Sequence, residues 1–156
     1  ITLLFKCENM DLIAFLKNEE TDFKGRSLTD IWAYNDSQIE ANHDFIQLLF
    51  PLNKPSKHSF HGVYLNDDAQ IKEIQSNEDI QANIRISANW FLMFLKRVDH
   101  WRAGYNHNHL RITRVIECLR LLINDNEANK FHEDVLLILG SNIKINKNTF
   151  KFWAKA

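Results

Sequence analysis

From Ile80 to Val98 the apolar residues Ile80, Ile84, Ala88, Phe91, Leu95 and Val98 fall at the spacing of one helix face. Across Trp90-Phe91-Leu92-Met93-Phe94-Leu95 the chain is apolar all the way round. A helix with no polar face over that stretch has to be enclosed by other elements. The run is far too short to cross a bilayer, so lipid is not the enclosure and no transmembrane segment is expected. No segment sustains the alternation of a half-buried strand. Four glycines and two prolines in 156 residues also leave little material for hairpins or loose linkers. The expectation is an all-α fold: one compact domain over residues 1–156, with about six or seven helices around the 80–98 helix.

Local signals place the helix ends. Asn9 is a candidate cap for a first helix carrying Leu12, Ile13 and Leu16, while Ile1 to Phe5 reads equally as helix or extended arm. Thr21 to Arg26 forms a loop around Gly25, and Ser27 or Thr29 caps a short helix with Leu28, Ile31 and Trp32. Ser37-Gln38-Ile39-Glu40 has the capping-box form, which starts a helix near Ser37. Pro51 ends it, because proline lacks the N–H a continuing helix needs. On that helix Ile39, Ile46, Leu49 and Phe50 make one apolar stripe, and His43 falls on it. Residues 54–66 are irregular. Asp67 or Asp68 then opens a helix to about Ser76, and Asn77 to Asp79 caps the 80–98 helix. Asn108 caps Leu110 to Ile123, the cleanest stripe in the chain, and Asn124 to Asn126 is a break before the next helix. Gly140 stands where a C-terminal glycine belongs, and a last helix from Asn148 carries Phe150, Phe152 and Trp153.

The net charge of −1 supplies no general pull towards nucleic acid or an anionic membrane, and neither is expected as a partner. Cys7 and Cys118 match no metal or redox spacing. Two reduced, buried thiols in an intracellular, cytoplasmic protein are expected, with one disulfide as the alternative.

Three constellations bear on chemistry. His43, with Gln47 one turn on, reads either as a ring aimed into a pocket or as a core histidine bonded to a carbonyl or carboxylate, the commoner case. His100, His107, His109, Arg111 and Arg114 gather cations at a helix start, where the dipole disfavours them. Compensation by a carboxylate such as Glu117 or Asp44 is one reading, and an anion site is the other. His58-x-x-His61 and His107-x-His109 have workable spacing for zinc, but no cysteine pair or H-E-x-x-H supports them. Cys118, four residues past Arg114, reads as an inert thiol. There is no glycine-rich phosphate loop and no nucleophile motif, so no catalytic residue, metal or cofactor is expected.

The segment His43-Asp44-Phe45-Ile46-Gln47-Leu48-Leu49-Phe50-Pro51 resembles the HDYIQWLFP signature of the conserved domain of opioid growth factor receptors. The block from Asn108 to Leu122, with its Leu110-Arg111-Ile112-Thr113-Arg114 core, is similar to a second conserved block of that family. Thr149 to Ala156, with Trp153, is similar to the closing one. Leu48 stands where the family usually has tryptophan, and Asn108-His109 invert its usual His-Asn order. Coverage runs from about Asp30 to the end. The resemblance implies a non-catalytic peptide- or protein-binding domain, the vertebrate members being receptors for the opioid peptide Met-enkephalin. The Asn-, Ile- and Lys-rich composition is closer to the short microbial relatives, which generally have no assigned activity.

Carried over by position, the family pattern falls on His43, Asp44, Gln47, Phe50, Pro51, Arg111, Arg114 and Trp153. With Asn108 and His109, and without Pro51 and Trp153, these make up the candidate binding set. Asp44 or a nearby carboxylate is expected to meet Arg111 or Arg114 and join the two motif helices. The alternative is a small-molecule or anion-binding protein, or an enzyme, using His43 and the His107/His109/Arg111/Arg114 cluster.

Overall fold

The structure, a computed structural model, describes residues 10–56, 63–141 and 144–156. Among the described residues there are nine α-helices and no strand. The first four are short: α1 (Leu12–Leu16), α2 (Leu28–Trp32), α3 (Asp36–Ala41) and α4 (Ile46–Leu49). The longer ones are α5 (Asp68–Ser76), α6 (Glu78–Arg97), α7 (Asn108–Leu122), α8 (Asp125–Leu139) and α9 (Lys147–Lys155), with a 3-10 turn at His100–Arg102 between α6 and α7. The helix count exceeds the expected six or seven because the amino-terminal third is built from these short pieces.

Most starts follow from a side chain that serves an orphan N–H of the first turn. Asp11 accepts from Ala14 N–H at 3.0 Å. Ser27 and Asp30 form a reciprocal capping box on α2. Asp67, Asn77, Asn124 and Asn146 cap α5, α6, α8 and α9 in the same way. Gly140 ends α8 with φ +58, a left-handed value that glycine adopts without a Cβ penalty. Asn9, the expected cap of the first helix, lies outside the described residues, as do Ile1 to Phe5 and Cys7.

The start of α1 falls at Asp11, two residues past the expected cap, and two further starts differ from expectation. The box on α3 is Asn35 with Gln38, whose side chains accept from each other's backbone N–H at 2.9 Å, rather than Ser37 with Glu40. Glu40 is thereby released from capping duty and turns towards other partners. Asn108 is the first residue inside α7 rather than its cap, and Asn106 accepts from the Asn108 N–H at 2.9 Å instead.

The expected helix from Ser37 to Phe50 is broken at Asn42, which is extended at φ −95 and ψ 122. Its second half is a buried strap, with every residue from Phe45 to Leu52 inside. Only Ile46 to Leu49 of that strap are helical. Burying Phe45, Leu48, Leu49 and Phe50 contributes on the order of 1.5–3 kcal/mol each. An amphipathic helix could not bury consecutive residues on all sides at a surface, so the strap sits in the interior.

α6 and α7 share the centre. α6 packs against α1, α5, α7 and α8, and buries Ile80, Ile84, Ala88, Phe91, Leu92, Phe94 and Leu95. Trp90 and Met93 are half-buried against the same core. α7 lies most extensively on α8 and also meets α5 and α9. Trp32 Nε1 donates to the buried Ser87 hydroxyl at 2.9 Å and ties α2 to α6. No described helix is long and apolar enough to cross a membrane.

Candidate functional site

Arg111 and Arg114 of α7 stand three residues apart on one face and reach the broken segment opposite. Arg111 is buried, and its Nη1 donates to the Ile39 carbonyl at 3.0 Å and to Asn108 Oδ1 at 3.2 Å. Its Nη2 donates to the Asn42 carbonyl at 2.7 Å. In a continuous helix the Ile39 carbonyl would accept from the N–H of His43, so Arg111 takes over the end of α3. Its guanidinium also lies 5.4 Å from the centre of the Phe45 ring. Arg114 Nε donates to the Phe50 carbonyl at 2.8 Å, just past α4, and Nη2 reaches the Gln47 carbonyl at 3.5 Å. One arginine closes each short helix. Burial lowers the Arg111 pKa to about 10, with Glu40 working against the fall, and it remains a cation near neutrality.

The expected carboxylate contact is therefore replaced. Asp44 does not meet Arg111 or Arg114. It pairs with Arg26 at 2.8 Å and with Lys24, and so fastens the 21–26 loop to the start of the strap. Burial opposes ionisation of Asp44, but hydrogen bonds from Lys24 and Arg26 outweigh it and hold its pKa below the ordinary value. Asp22 is the other half of that clasp, accepting from Arg26 Nε at 2.8 Å and from two backbone N–H groups of the loop. The physical reason for the replacement is local. Backbone carbonyls at two helix ends are already unsatisfied acceptors, and they lie where the guanidinium groups arrive.

Glu40 is the residue that sequence reading missed. Its carboxylate lies 2.6 Å from His100 Nε2 and 3.2 Å from the Asn108 side-chain amide. It is also 2.7 Å from His107 Nε2, which is out of line for a hydrogen bond. Burial raises the Glu40 pKa, but His100, Asn108 and His107 together bring it below the ordinary value. The His107 ring meets the exposed His43 ring edge-on at 5.0 Å. Burial lowers the pKa of His107, and Arg111 and His43 add to that against the pull of Glu40.

His43 thus leaves the apolar stripe it was expected to share, because the break at Asn42 turns it outwards. His109 is buried, with Nε2 2.6 Å from the Trp101 carbonyl, so that nitrogen carries the proton. Trp153 Nε1 donates to the His109 carbonyl at 3.1 Å, and the two rings meet edge-on. This joins the last motif block to the second.

Between the strap and α7 lies a groove of about 550 Å³. His43, Gln47, Arg111 and Arg114 line it, whereas Asp44, Phe50, Asn108 and His109 do not. Its walls are apolar at Ile46, Leu52, Pro55 and Leu110, and Lys54 and Glu117 face it as an ion pair at 2.8 Å. Leu110 is 62% exposed.

His107 and His109 turn to different partners, Glu40 and Trp101, and His58 and His61 lie outside the described residues. Among the described residues no group of three or more His, Cys, Asp and Glu is placed to hold a metal ion. Cys118 is a free, buried thiol, its pKa raised to about 12 by burial despite Arg114.

Compared with family models, with curated proteins and with solved structures, the chain matches none.

Proposed function

We propose that this chain is a non-catalytic peptide-binding module of the opioid growth factor receptor type, and that the groove between the strap and α7 is where it binds. The observation that carries the reading is that the walls of one ligand-sized cavity come from both motif segments. Ile46, Gln47 and His43 stand on one side, and Leu110, Arg111 and Arg114 on the other. Apolar walls with a few fixed polar groups are the usual make-up of a small-ligand site, and about 550 Å³ is a usual size. The groups that the alternative, catalytic reading would use are engaged. His109 is held by the Trp101 carbonyl, and Cys118 is sealed from solvent. An intracellular setting belongs to this reading, supported by the unpaired Cys118 thiol.

The test is a calorimetric titration of the chain with Met-enkephalin, with a scrambled peptide as control. Saturable binding in the micromolar range, about −8 kcal/mol, with none for the scrambled peptide, is the expected result. Absence of heat at millimolar concentrations of either peptide would remove the opioid-peptide reading.

A further inference from the structure

The cations of the groove are not equivalent. Lys54 has its charge matched by Glu117 at 2.8 Å. Arg111 has both terminal nitrogens committed to the Ile39 and Asn42 carbonyls and Asn108. Arg114 differs. Its Nε is fixed on the Phe50 carbonyl at 2.8 Å, its Nη2 has only the 3.5 Å approach to the Gln47 carbonyl, and Nη1 has no acceptor among the described residues. Neither arginine has a carboxylate within ion-pairing distance among the described residues. One guanidinium edge, held in orientation from behind, is left to face the cavity, and such an edge matches the two oxygens of a carboxylate.

The surroundings narrow the ligand. A dianion such as a phosphate would meet one open cation with Glu117 close by, which favours a single negative charge. The rim consists of exposed groups: Leu110, His43 and the Lys54 side chain, while Arg114 is half-buried with its Nε against the wholly buried Phe50. A chain end can point its carboxylate down to that depth. A chain passing through would have to bring flanking residues on both sides into the same space. We propose that the groove holds a short peptide by its C-terminal carboxylate, received on the Nη1–Nη2 edge of Arg114, with an apolar last side chain against Ile46, Leu52 and Leu110. The assignment rests on the peptide-binding reading and adds the end of the peptide that is recognised and the residue that recognises it. Burial of Arg114 lowers its pKa, the mark of a cation that has given up hydration and gains from an anionic partner.

The experiment follows the Nε–Hε signals of the 15N-labelled chain. It is titrated with a pool of N-acetylated tetrapeptides ending in leucine, first as free acids and then as C-terminal amides. The expected result is a saturable shift of the Arg114 signal with the acids and an affinity at least about tenfold weaker with the amides. Equal binding by both pools would keep the peptide reading and overturn the carboxylate anchor. No binding by either would overturn both. Hexanoate binding as tightly as the acid pool would overturn the peptide as the source of the carboxylate. Arg114→Lys, which keeps the charge and loses the two-pronged edge, is expected to weaken the acids and leave the amides unchanged. If that variant does not fold, Leu110→Asp serves instead, because Leu110 is exposed. It is expected to weaken the acid pool about tenfold, and unchanged binding would overturn the placement.

Discussion

At the scale of single residues, Arg111 and Asp44 make a controlled pair, because each fastens the strap by a different chemistry. Arg111 is buried and satisfies two backbone carbonyls. Arg111→Met keeps most of the volume and leaves both carbonyls and Asn108 without their donor. It is expected to lower stability by roughly 2–4 kcal/mol in a denaturant melt. Asp44→Asn removes a charge shared with an exposed Lys24 and a largely buried Arg26, but it keeps an acceptor oxygen for Arg26 and leaves Asp22 to pair with that guanidinium. Its expected cost is about 1–2 kcal/mol. A larger loss for Asp44→Asn than for Arg111→Met would show that the carboxylate, and not the carbonyl clasp, holds the strap. His43 teaches the same point about legibility. Its position on an apolar stripe was readable, but its exposure was not, since the break that turns it outwards depends on a guanidinium 69 residues away from Asn42.

At the scale of helices, local signals were readable wherever the competing patterns were few. Asn77, Asn124 and Gly140 marked their helix ends in the sequence, and each does so in the structure by a bond or a backbone angle of its own. Near residue 37 two boxes overlap: Asn35 with Gln38, and Ser37 with Glu40. Both satisfy the same rule, and the outcome is decided by Glu40, which finds His100 and Asn108 on the neighbouring segment. Asn35→Ala is therefore expected to cost about 1 kcal/mol, and Ser37→Ala to stay within about 0.5 kcal/mol of the parent. Thermal melts of the two variants decide between the boxes, and the reverse order would restore Ser37 as the cap. The strap was legible as a proline-stopped segment. Its complete burial was not, because periodicity alone cannot distinguish a helix face from a short plug.

For the molecule as a whole, several buried and half-buried groups bind protons less readily in the fold than in the unfolded chain. Burial lowers the pKa values of His107, His109 and His132 below 6.5. Net of burial, Glu40 and Asp44 lie below 4.5 and 3.8 respectively. In each case the unfolded chain takes up more protons, so stability rises with pH. The histidine contribution is fully present above about pH 6.5 and is lost as pH falls below it, and the carboxylate contribution is lost further down, below about pH 4.5. Denaturant midpoints are expected to fall between pH 7.5 and pH 5.5. His109→Gln, which retains an N–H for the Trp101 carbonyl, is expected to flatten that fall. A midpoint unchanged over this range would mean that the histidines are as easily protonated folded as unfolded.

The all-α class followed from the 80–98 segment, which could be satisfied only by being wrapped. The meeting of His43 with the His107 ring and of Arg114 with Phe50 was not readable, because those contacts are settled by how the strap is laid across α7. That clasp has a consequence for how the chain can vary. Arg111 and Arg114 grip carbonyl oxygens, which every residue type supplies. Substituting an exposed side chain of the stretch between Ile39 and Phe50, such as Ala41 or His43, leaves the oxygens where they are. Inserting or deleting one residue there would move them out of step with two arginines fixed on a rigid helix. This stretch is accordingly constrained in length even at the positions where its spelling is free.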